Sequence, residues 1–271
     1  MTLIFALDAG GDDATDFITV AGFASTERDW EEFSQKWKAR LNRDGIEFFH
    51  AVDAAGFRGP FEHWRERPDR EQLRRALFGD LMDIIKSHAY HKVACTIVNK
   101  EYQSTNTELR EQFADTAYCV AARTCEKYGR HWVMTEWKSC PNTEFAFIFE
   151  AGDQGQPKLK ERLKKESGHI PANFRPKKDT VRGDGNVEKG YVPLQAADWL
   201  AWELNRATRD FYPEKLESES RLRWPMRQFL GRPDGKIGIY SPDNLRDMDR
   251  MIDLENEVDA WATSLGLGKK E

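Results

Sequence analysis

The sequence contains little cysteine and no long apolar run. Only four of the 271 residues are cysteines, and they form neither a C-x-x-C motif nor two closely spaced pairs. This spacing indicates neither a zinc site nor a disulfide framework, so we expect reduced thiols. The first residues lack the basic region and cleavage site of a signal peptide, and no apolar stretch approaches the length of a membrane span. We therefore expect a cytoplasmic protein without a membrane partner.

Internal repeats, low-complexity tracts and Ser/Gly-rich linkers are also missing. A hydrophobic content of 39% is enough to build a core. We expect one domain over residues 1–271, with a core at about 1–210 and a helical C-terminal elaboration at about 211–265. Within that elaboration, residues 243–259 are predicted to form an acidic amphipathic helix. This helix could pack on the domain, pair with a second copy in a homodimer, or shield a basic segment.

The charge is acidic overall but unevenly distributed. The formal net charge of -5 argues against a protein coated with basic surface. Residues 156–190 nevertheless hold ten basic and five acidic residues, a local charge of +5 that leaves -10 for the remainder. Such a stretch could hold a phosphate backbone beside a site, although a solvated helix face and loop have the same composition. The candidate substrate-binding residues in it are Lys158, Arg175, Lys177 and Lys178.

Hydrophobic periodicity predicts strands and helices in alternation. Strands are expected over residues 3–7, 17–24, 46–49, 91–98 and 145–149. Helices are expected over residues 29–42, 69–87, 108–128, 157–167 and 193–210. The first two strands are close enough along the chain to form a hairpin. Three early strands followed by alternating helices and strands predict a mixed sheet flanked by helices.

One acidic residue stands where a helix should be apolar. Asp198 lies in the predicted helix 193–210 among apolar residues, where a carboxylate is costly unless it is paired or binds a metal. Gln195 lies one turn earlier on the same face. Asp8 closes the first predicted strand, before a Gly-Gly turn. We predict that the first-strand and late-helix acids share a site.

Four elements together resemble the DUF3800 family of bacterial and phage proteins, which is grouped with the ribonuclease-H-like superfamily. They are Asp8-Ala9-Gly10-Gly11, Phe49-His50-Ala51-Val52-Asp53, the strand ending at Glu150, and the acidic helical segment of residues 193–203. The last element also resembles the acidic final helix of Holliday-junction resolvases. The resemblance spans most of the chain. It implies an α/β, ribonuclease-H-like mixed sheet flanked by helices, with additional C-terminal helices, and a setting in a defence or mobile-element operon with an operon partner protein.

The resemblance further implies a carboxylate site for Mg²⁺ or Mn²⁺ that hydrolyses phosphodiester bonds in DNA or RNA. Asp8 would be the bridging ligand, and Glu150 and Asp198 would complete the set. Gln195 would offer a neutral oxygen to metal or substrate. His50 would orient a water or bind metal, since a neutral imidazole can do either.

The sequence departs from the family pattern after the first strand. Family members commonly carry Asp-Glu-Ser-Gly there, whereas Ala9 replaces the second acid in this chain. Asp12 or Asp13 could swing back to replace it, or Asp153 could serve as a metal ligand, although exposed acidic turns have the same composition. The other candidates also have structural alternatives. Asp8 could only close an Asx turn, and Glu150 could be an exposed strand end. Gln195 could hydrogen-bond buried backbone, and His50 could cap the next segment.

Two other functions compete with a nuclease. Ala9 is compatible with a non-catalytic module that binds nucleic acid or protein through a degenerate ribonuclease-H-like site. The turn at residues 8–11 also resembles the first phosphate loop of ATP-dependent phosphotransferases of the actin and sugar-kinase group. Those enzymes need a second domain and a second phosphate motif, for which the chain offers only Asp153-Gln154-Gly155.

Overall fold

The computed structural model describes residues 2–11, 15–104, 116–136, 144–153, 155–166, 172–212 and 221–240. Its strands are β1 (Thr2–Gly10), β2 (Phe17–Thr26), β3 (His91–Val98), β4 (Glu144–Glu150), β5 (Ala172–Arg175), β6 (Thr180–Val181), β7 (Val187–Glu188) and β8 (Gly235–Tyr240). Its α-helices are α1 (Glu27–Arg43), α2 (Ala51–Gly56), α3 (Arg70–His88), α4 (Asn99–Gln103), α5 (Ala117–Glu136), α6 (Gln156–Glu166), α7 (Pro193–Phe211) and α8 (Trp224–Leu230). A 3₁₀ helix covers Gly59–Trp64.

Six strands form one mixed sheet in the order β5-β4-β1-β2-β3-β8. β1, β2 and β3 are successive antiparallel neighbours, in the register that pairs Asp8 with Ala21 and Ala21 with Ala94. β4 runs parallel to β1, β5 runs parallel to β4, and β8 runs parallel to β3. β6 and β7 form a separate antiparallel hairpin. The expected mixed α/β sheet flanked by helices is therefore confirmed.

Helices cover both faces of the sheet, and strand alternation explains why. On β1, Phe5 and Leu7 point into the core beneath α5 and α6, whereas Ala6 points into the core beneath α1, α3, α7 and α8. Asp8 lies two residues after Ala6 on the same strand, so its side chain points to the same face of the sheet, towards α7. This alternation decides which helix layer meets the acid.

α7 packs closely on β1 and β2 because the strand residues beneath it are small. Ala6, Ala21 and Ala94 are fully buried on that face. A Cβ on Gly10 would lie 2.9 Å from the carbonyl oxygen of Ala201, so only glycine allows this approach of strand and helix. The close packing brings the acidic face of α7 to the end of β1.

An aromatic cluster fixes α7 from the other side. The ring of Trp199 lies 4.7 Å from Phe78 and 5.3 Å from both Phe49 and Phe229, measured between centroids. Phe49 also contacts Trp37 at 5.8 Å, which links the cluster to α1. Such edge and tilted contacts stabilise beyond their buried area by about 0.5–1.5 kcal/mol each. Trp199 is therefore part of the core rather than a base-stacking surface.

The predicted strand at residues 46–49 is wrong, because these residues form an irregular connection between α1 and α2. The Phe49 N–H donates to the side chain of Gln195 instead of to a neighbouring strand. Its ring fills the aromatic cluster, which explains the apolar pattern. The third strand of the sheet is β3, at residues expected to form the fourth.

Other differences concern the later part of the chain. The helix expected over 108–128 begins at Ala117 within the described residues and continues to Glu136. β5, the β6–β7 hairpin and β8 were not predicted, and β8 adds an edge strand to the sheet in a region expected to be helical. Cys95, Cys119 and Cys125 are buried free thiols.

Several expectations fall on residues that the structure does not describe: the acidic helix over 243–259, Asp12, Asp13, Cys140 and the first part of the helix expected over 108–128. Among the residues that it does describe, no helix is long and apolar enough to cross a membrane.

Candidate functional site

Three acids from three separate elements converge at one end of the sheet. Asp8 lies near the end of β1, and Glu150 is the last residue of the parallel neighbour β4. Ile148 packs in the same core as Ala6, so alternation also directs Glu150 to the α7 face. Asp198 lies on the buried face of α7. The structure therefore brings together three of the acids predicted to form the site.

The Lys177 ammonium lies between these three carboxylates. Its Nζ is 3.0 Å from Glu150 Oε2, 3.0 Å from Asp198 Oδ1 and 3.3 Å from Asp8 Oδ2. The lysine side chain is only 14% exposed. One of the predicted substrate-binding residues is thus the central cation of what we call the carboxylate cluster: Asp8, Glu150, Asp198 and Lys177.

Backbone amides orient two of the acids. The Ala9 N–H donates to Asp8 Oδ1 at 2.7 Å, and the Ala51 N–H donates to Asp198 Oδ2 at 2.6 Å. In each carboxylate, one oxygen is held by the backbone while the other faces the ammonium. Fixed second contacts of this kind are typical of carboxylates that present an oxygen to a cation.

The cluster carries more negative than positive charge. Burial raises the pKa of Asp8 well above its ordinary value, the Lys177 ammonium opposes this, and Glu150 and Asp198 raise it further. Burial disfavours the charged ammonium, but attraction to Asp8, Asp198 and Glu150 outweighs burial and raises the pKa of Lys177. Three carboxyl groups thus share one ammonium, and a further cation nearby would favour the ionised form of Asp8.

A fourth carboxylate lies beside the carboxylate cluster. Burial, followed by repulsion from Glu150, raises the pKa of Asp153 to about 6, while Lys177 and a hydrogen bond with Tyr118 oppose the shift. These interactions place Asp153 within electrostatic reach of the site. Asp153 is therefore the described acid best placed to compensate for Ala9.

His50 approaches the cluster on the solvent side. Its Nδ1 is 2.9 Å from Asp53 Oδ2, and its Nε2 is 3.8 Å from Asp198 Oδ1. The imidazole is 32% exposed, so water reaches it. Asp53 is bonded to Nδ1, and Nε2 is the ring nitrogen that faces the acids. His50 and Asp53 form what we call the histidine dyad.

Gln195 connects the elements around the site. Its Oε1 accepts hydrogen bonds from Trp37 Nε1 at 2.9 Å and from the Phe49 N–H at 2.8 Å. Its Nε2 donates to the carbonyl oxygen of Lys177 at 2.9 Å. These bonds give Gln195 a positioning role for the segments that carry His50 and Lys177, which corresponds to the buried-backbone alternative considered from the sequence.

The other predicted basic residues lie outside the cluster. Lys178 is exposed, with its ammonium 4.2 Å from the centroid of the Phe48 ring. Arg175 stacks over Tyr191 at 5.3 Å and donates to the carbonyl of Lys189. Lys158 is exposed on α6. Lys178 and Arg175 flank Lys177 in sequence and extend positive charge from the site towards the β6–β7 hairpin.

The donor atoms are of the type that suits a hard divalent cation, but their spacing is that of an ammonium site. In the part of the chain that the structure describes, no three His, Cys, Asp or Glu side chains are spaced as they would be around a metal ion. The ammonium lies between the carboxylates instead. Three carboxylate oxygens face one point from 3.0–3.3 Å, and they would have to close to about 2.1 Å around Mg²⁺. All are oxygens, the ligands preferred by Mg²⁺ and Mn²⁺.

The sequence analysis did not predict that Lys177 lies between the carboxylates, or that Tyr118 is hydrogen-bonded to Asp153. Nothing in the run Arg175-Pro176-Lys177-Lys178 distinguishes one lysine as buried.

Comparison of the chain with protein-family models, curated proteins and solved structures found no match in any of the three. The site is therefore interpreted from its own geometry.

Proposed function

We propose that this protein is a divalent-metal-dependent phosphodiesterase acting on nucleic acid, with a ribonuclease-H-like fold of the DUF3800 type. The observation that carries the proposal is the convergence of Asp8, Glu150 and Asp198, from β1, β4 and α7, on one cationic point. The sheet order β5-β4-β1-β2-β3, with β1 to β3 antiparallel and β4 and β5 parallel, supports the finer fold assignment. An Asp on the first strand and another on a late helix support it as well.

Asp8, Glu150 and Asp198 would hold Mg²⁺ or Mn²⁺. Asp153 would lie beside them and compensate for the acid that the family carries at the position of Ala9. The ion would supply Lewis acidity at a phosphoryl oxygen. The backbone amides of Ala9 and Ala51 would keep two ligands oriented before the ion arrives. This preorganisation reduces the rearrangement needed on binding.

The histidine dyad gives the site a general base. With Nδ1–H donated to Asp53, the Nε2 of His50 can accept a proton from a water that attacks the phosphorus. Its distance of 3.8 Å from Asp198 Oδ1 leaves it adjacent to the carboxylates without being bound by them. The imidazolium formed in this step would be stabilised by Asp53 and Asp198.

The basic residues beside the site suit a phosphate backbone. Lys178 is exposed, and Arg175 lies two residues before Lys177 at the end of β5. Their charges would contact phosphate oxygens and would not read base edges, so we propose binding of DNA or RNA without a groove-reading element.

Thermal melts of the wild type, Asp8→Ala and Asp198→Ala, each in chelator and in millimolar Mn²⁺ or Mg²⁺, test the proposal. An ion that binds only the folded state adds about 2.7 kcal/mol at a hundredfold excess over Kd. We expect stabilisation of the wild type and of Asp83→Ala, an exposed acid on α3, but not of the two site variants. Loss of metal-dependent cleavage of DNA and RNA substrates should follow the same pattern. Full cleavage by either site variant would refute the assignment.

A non-catalytic binding module is the second candidate, and one contact favours it. Lys177 already supplies a cation to the three carboxylates, and Ala9 removes one expected acid. A wild type that binds nucleic acid, ignores both metals and cleaves nothing would identify such a module.

A further inference from the structure

Lys177 occupies the position that a bound cation would need. Its ammonium faces one oxygen from each of Asp8, Glu150 and Asp198. The second oxygens of Asp8 and Asp198 are already bonded to backbone amides. In Asp8 and Asp198, the oxygen without a backbone hydrogen bond is thus the one that faces the ammonium.

Hydrogen bonds hold the backbone around Lys177 in place, and 14% of its side chain is exposed to solvent. Gln195 Nε2 donates to the Lys177 carbonyl oxygen, and the Tyr191 N–H donates to the carbonyl of Pro176 at 2.8 Å. Asp179 closes the following hairpin by accepting from the Gly190 N–H and from Lys189 Nζ. A change of the Lys177 side-chain rotamer alone would move the ammonium without breaking any of these backbone hydrogen bonds.

We propose that Lys177 is an internal cation of the carboxylate cluster, and that Mg²⁺ or Mn²⁺ binds by displacing its ammonium into the solvent-facing part of the site. The inference rests on the proposed function, because it concerns the same three carboxylates. Two cations that share these oxygens would repel each other at close range. The displaced ammonium keeps its charge and its three donors, which suit a substrate phosphate between Lys178 and Arg175.

Chemical labelling of lysine amines in the full wild-type chain reports the displacement directly. Modification rates at Lys177 and Lys178 would be measured by mass spectrometry in chelator and in Mn²⁺. Lys178 is exposed and serves as the control within the same molecule. We expect Lys177 to react slowly in chelator and severalfold faster in Mn²⁺, with Lys178 unchanged. An unchanged rate at Lys177, under conditions where a melt shows Mn²⁺ bound, overturns the inference.

Calorimetric titration of Mn²⁺ into Lys177→Met, with Lys178→Met as the matched control, measures the competition. Removing the competing ammonium should tighten Mn²⁺ binding by about tenfold, within the range usual for coupling between two ligands, and the control should bind like the wild type. If the wild type binds Mn²⁺ and Lys177→Met binds equally or more weakly, the inference fails while the proposed function stands. If neither binds Mn²⁺, both fail. The labelling experiment uses the wild-type chain, so the inference can be refuted even if Lys177→Met does not fold.

Discussion

α7 carries two buried acids in different electrostatic surroundings. Asp198 and Glu203 are five residues apart on this helix, and their side chains are 9% and 1% exposed. Around Asp198 lie two more carboxylates and one ammonium. Around Glu203 lie arginines: Arg223 Nη1 is 3.1 Å from its Oε1, and Arg206 and Arg74 act on it at longer range. Charge is in negative excess at the first acid and in positive excess at the second.

This difference separates a candidate cation site from a structural contact better than burial does. Burial raises the pKa of Glu203 to about 7, and the attraction of Arg223 only partly offsets it. Among the described residues, both Glu203 carboxylate oxygens lack a hydrogen-bond partner of good geometry. Glu203 therefore joins α7 to the segment before α8 at a cost, whereas Asp198 faces two acids that need a cation.

The largest effect is expected when Asp198 is replaced by its uncharged isostere, with the same change at Glu203 for comparison. Asp198→Asn should lower metal-dependent cleavage by about 10³-fold, because a metal interaction contributes several kcal/mol to the transition state. Glu203→Gln should change cleavage by less than about threefold at pH 7.5, since Glu203 touches no reacting group. Initial rates on one substrate in Mn²⁺ compare the two variants. Equal losses in both would show that the two acids do not differ in function.

A second comparison concerns the two tryptophans beside these acids. Trp199→Ala should destabilise the fold by about 3–5 kcal/mol, since it leaves a cavity among Phe49, Phe78 and Phe229. Trp202 is half-buried under Arg206 and Arg223, so Trp202→Ala should cost about 1 kcal/mol. Urea unfolding gives both values. A Trp202→Ala cost equal to that of Trp199→Ala would contradict this ranking of the core.

Local patterns were sufficient to predict most of the central sheet and its helices. The short apolar runs of β1 and β2 and the apolar stripe of α1, formed by Trp30, Phe33, Trp37 and Leu41, are visible over short windows. Phe48 and Phe49 show why the same logic failed at residues 46–49. An apolar run has the same pattern whether it pairs with a strand or fills an aromatic cluster. Here the Phe49 N–H donates to Gln195, which is distant in sequence, and not to a neighbouring strand.

The site was predictable where an acid interrupts an apolar element, as Asp198 and Asp8 do. Lys177 was not, because its burial depends on three residues between 21 and 169 positions away in sequence. Glu203 gave no separate signal either, although it belongs to the same acidic helical segment. Its pairing with Arg223 depends on where the chain returns after α7, which periodicity does not report.

Glu203 should also make stability depend on pH. Its carboxyl pKa is raised from an ordinary 4.5 to about 7, so the folded state binds the proton more tightly than the unfolded chain does. The stabilising contribution is complete below pH 4.5 and is lost as pH rises to about 7, on the order of 3 kcal/mol in total. Urea unfolding of the wild type and Glu203→Gln between pH 5 and 8 measures it. The stability difference between them should shift against the wild type as pH rises, and a constant difference would exclude this role.

The smallest expected effect tests whether the histidine dyad supports the function of Asp198. Asp53→Asn leaves the shape of the side chain but removes the charge that holds Nδ1–H of His50. Loss of such an orienting partner lowers activity by about 10–100-fold. Asp69→Asn, at an exposed residue paired with Arg67, is the matched control. An Asp53→Asn variant with a normal rate would remove the histidine dyad from the proposed mechanism.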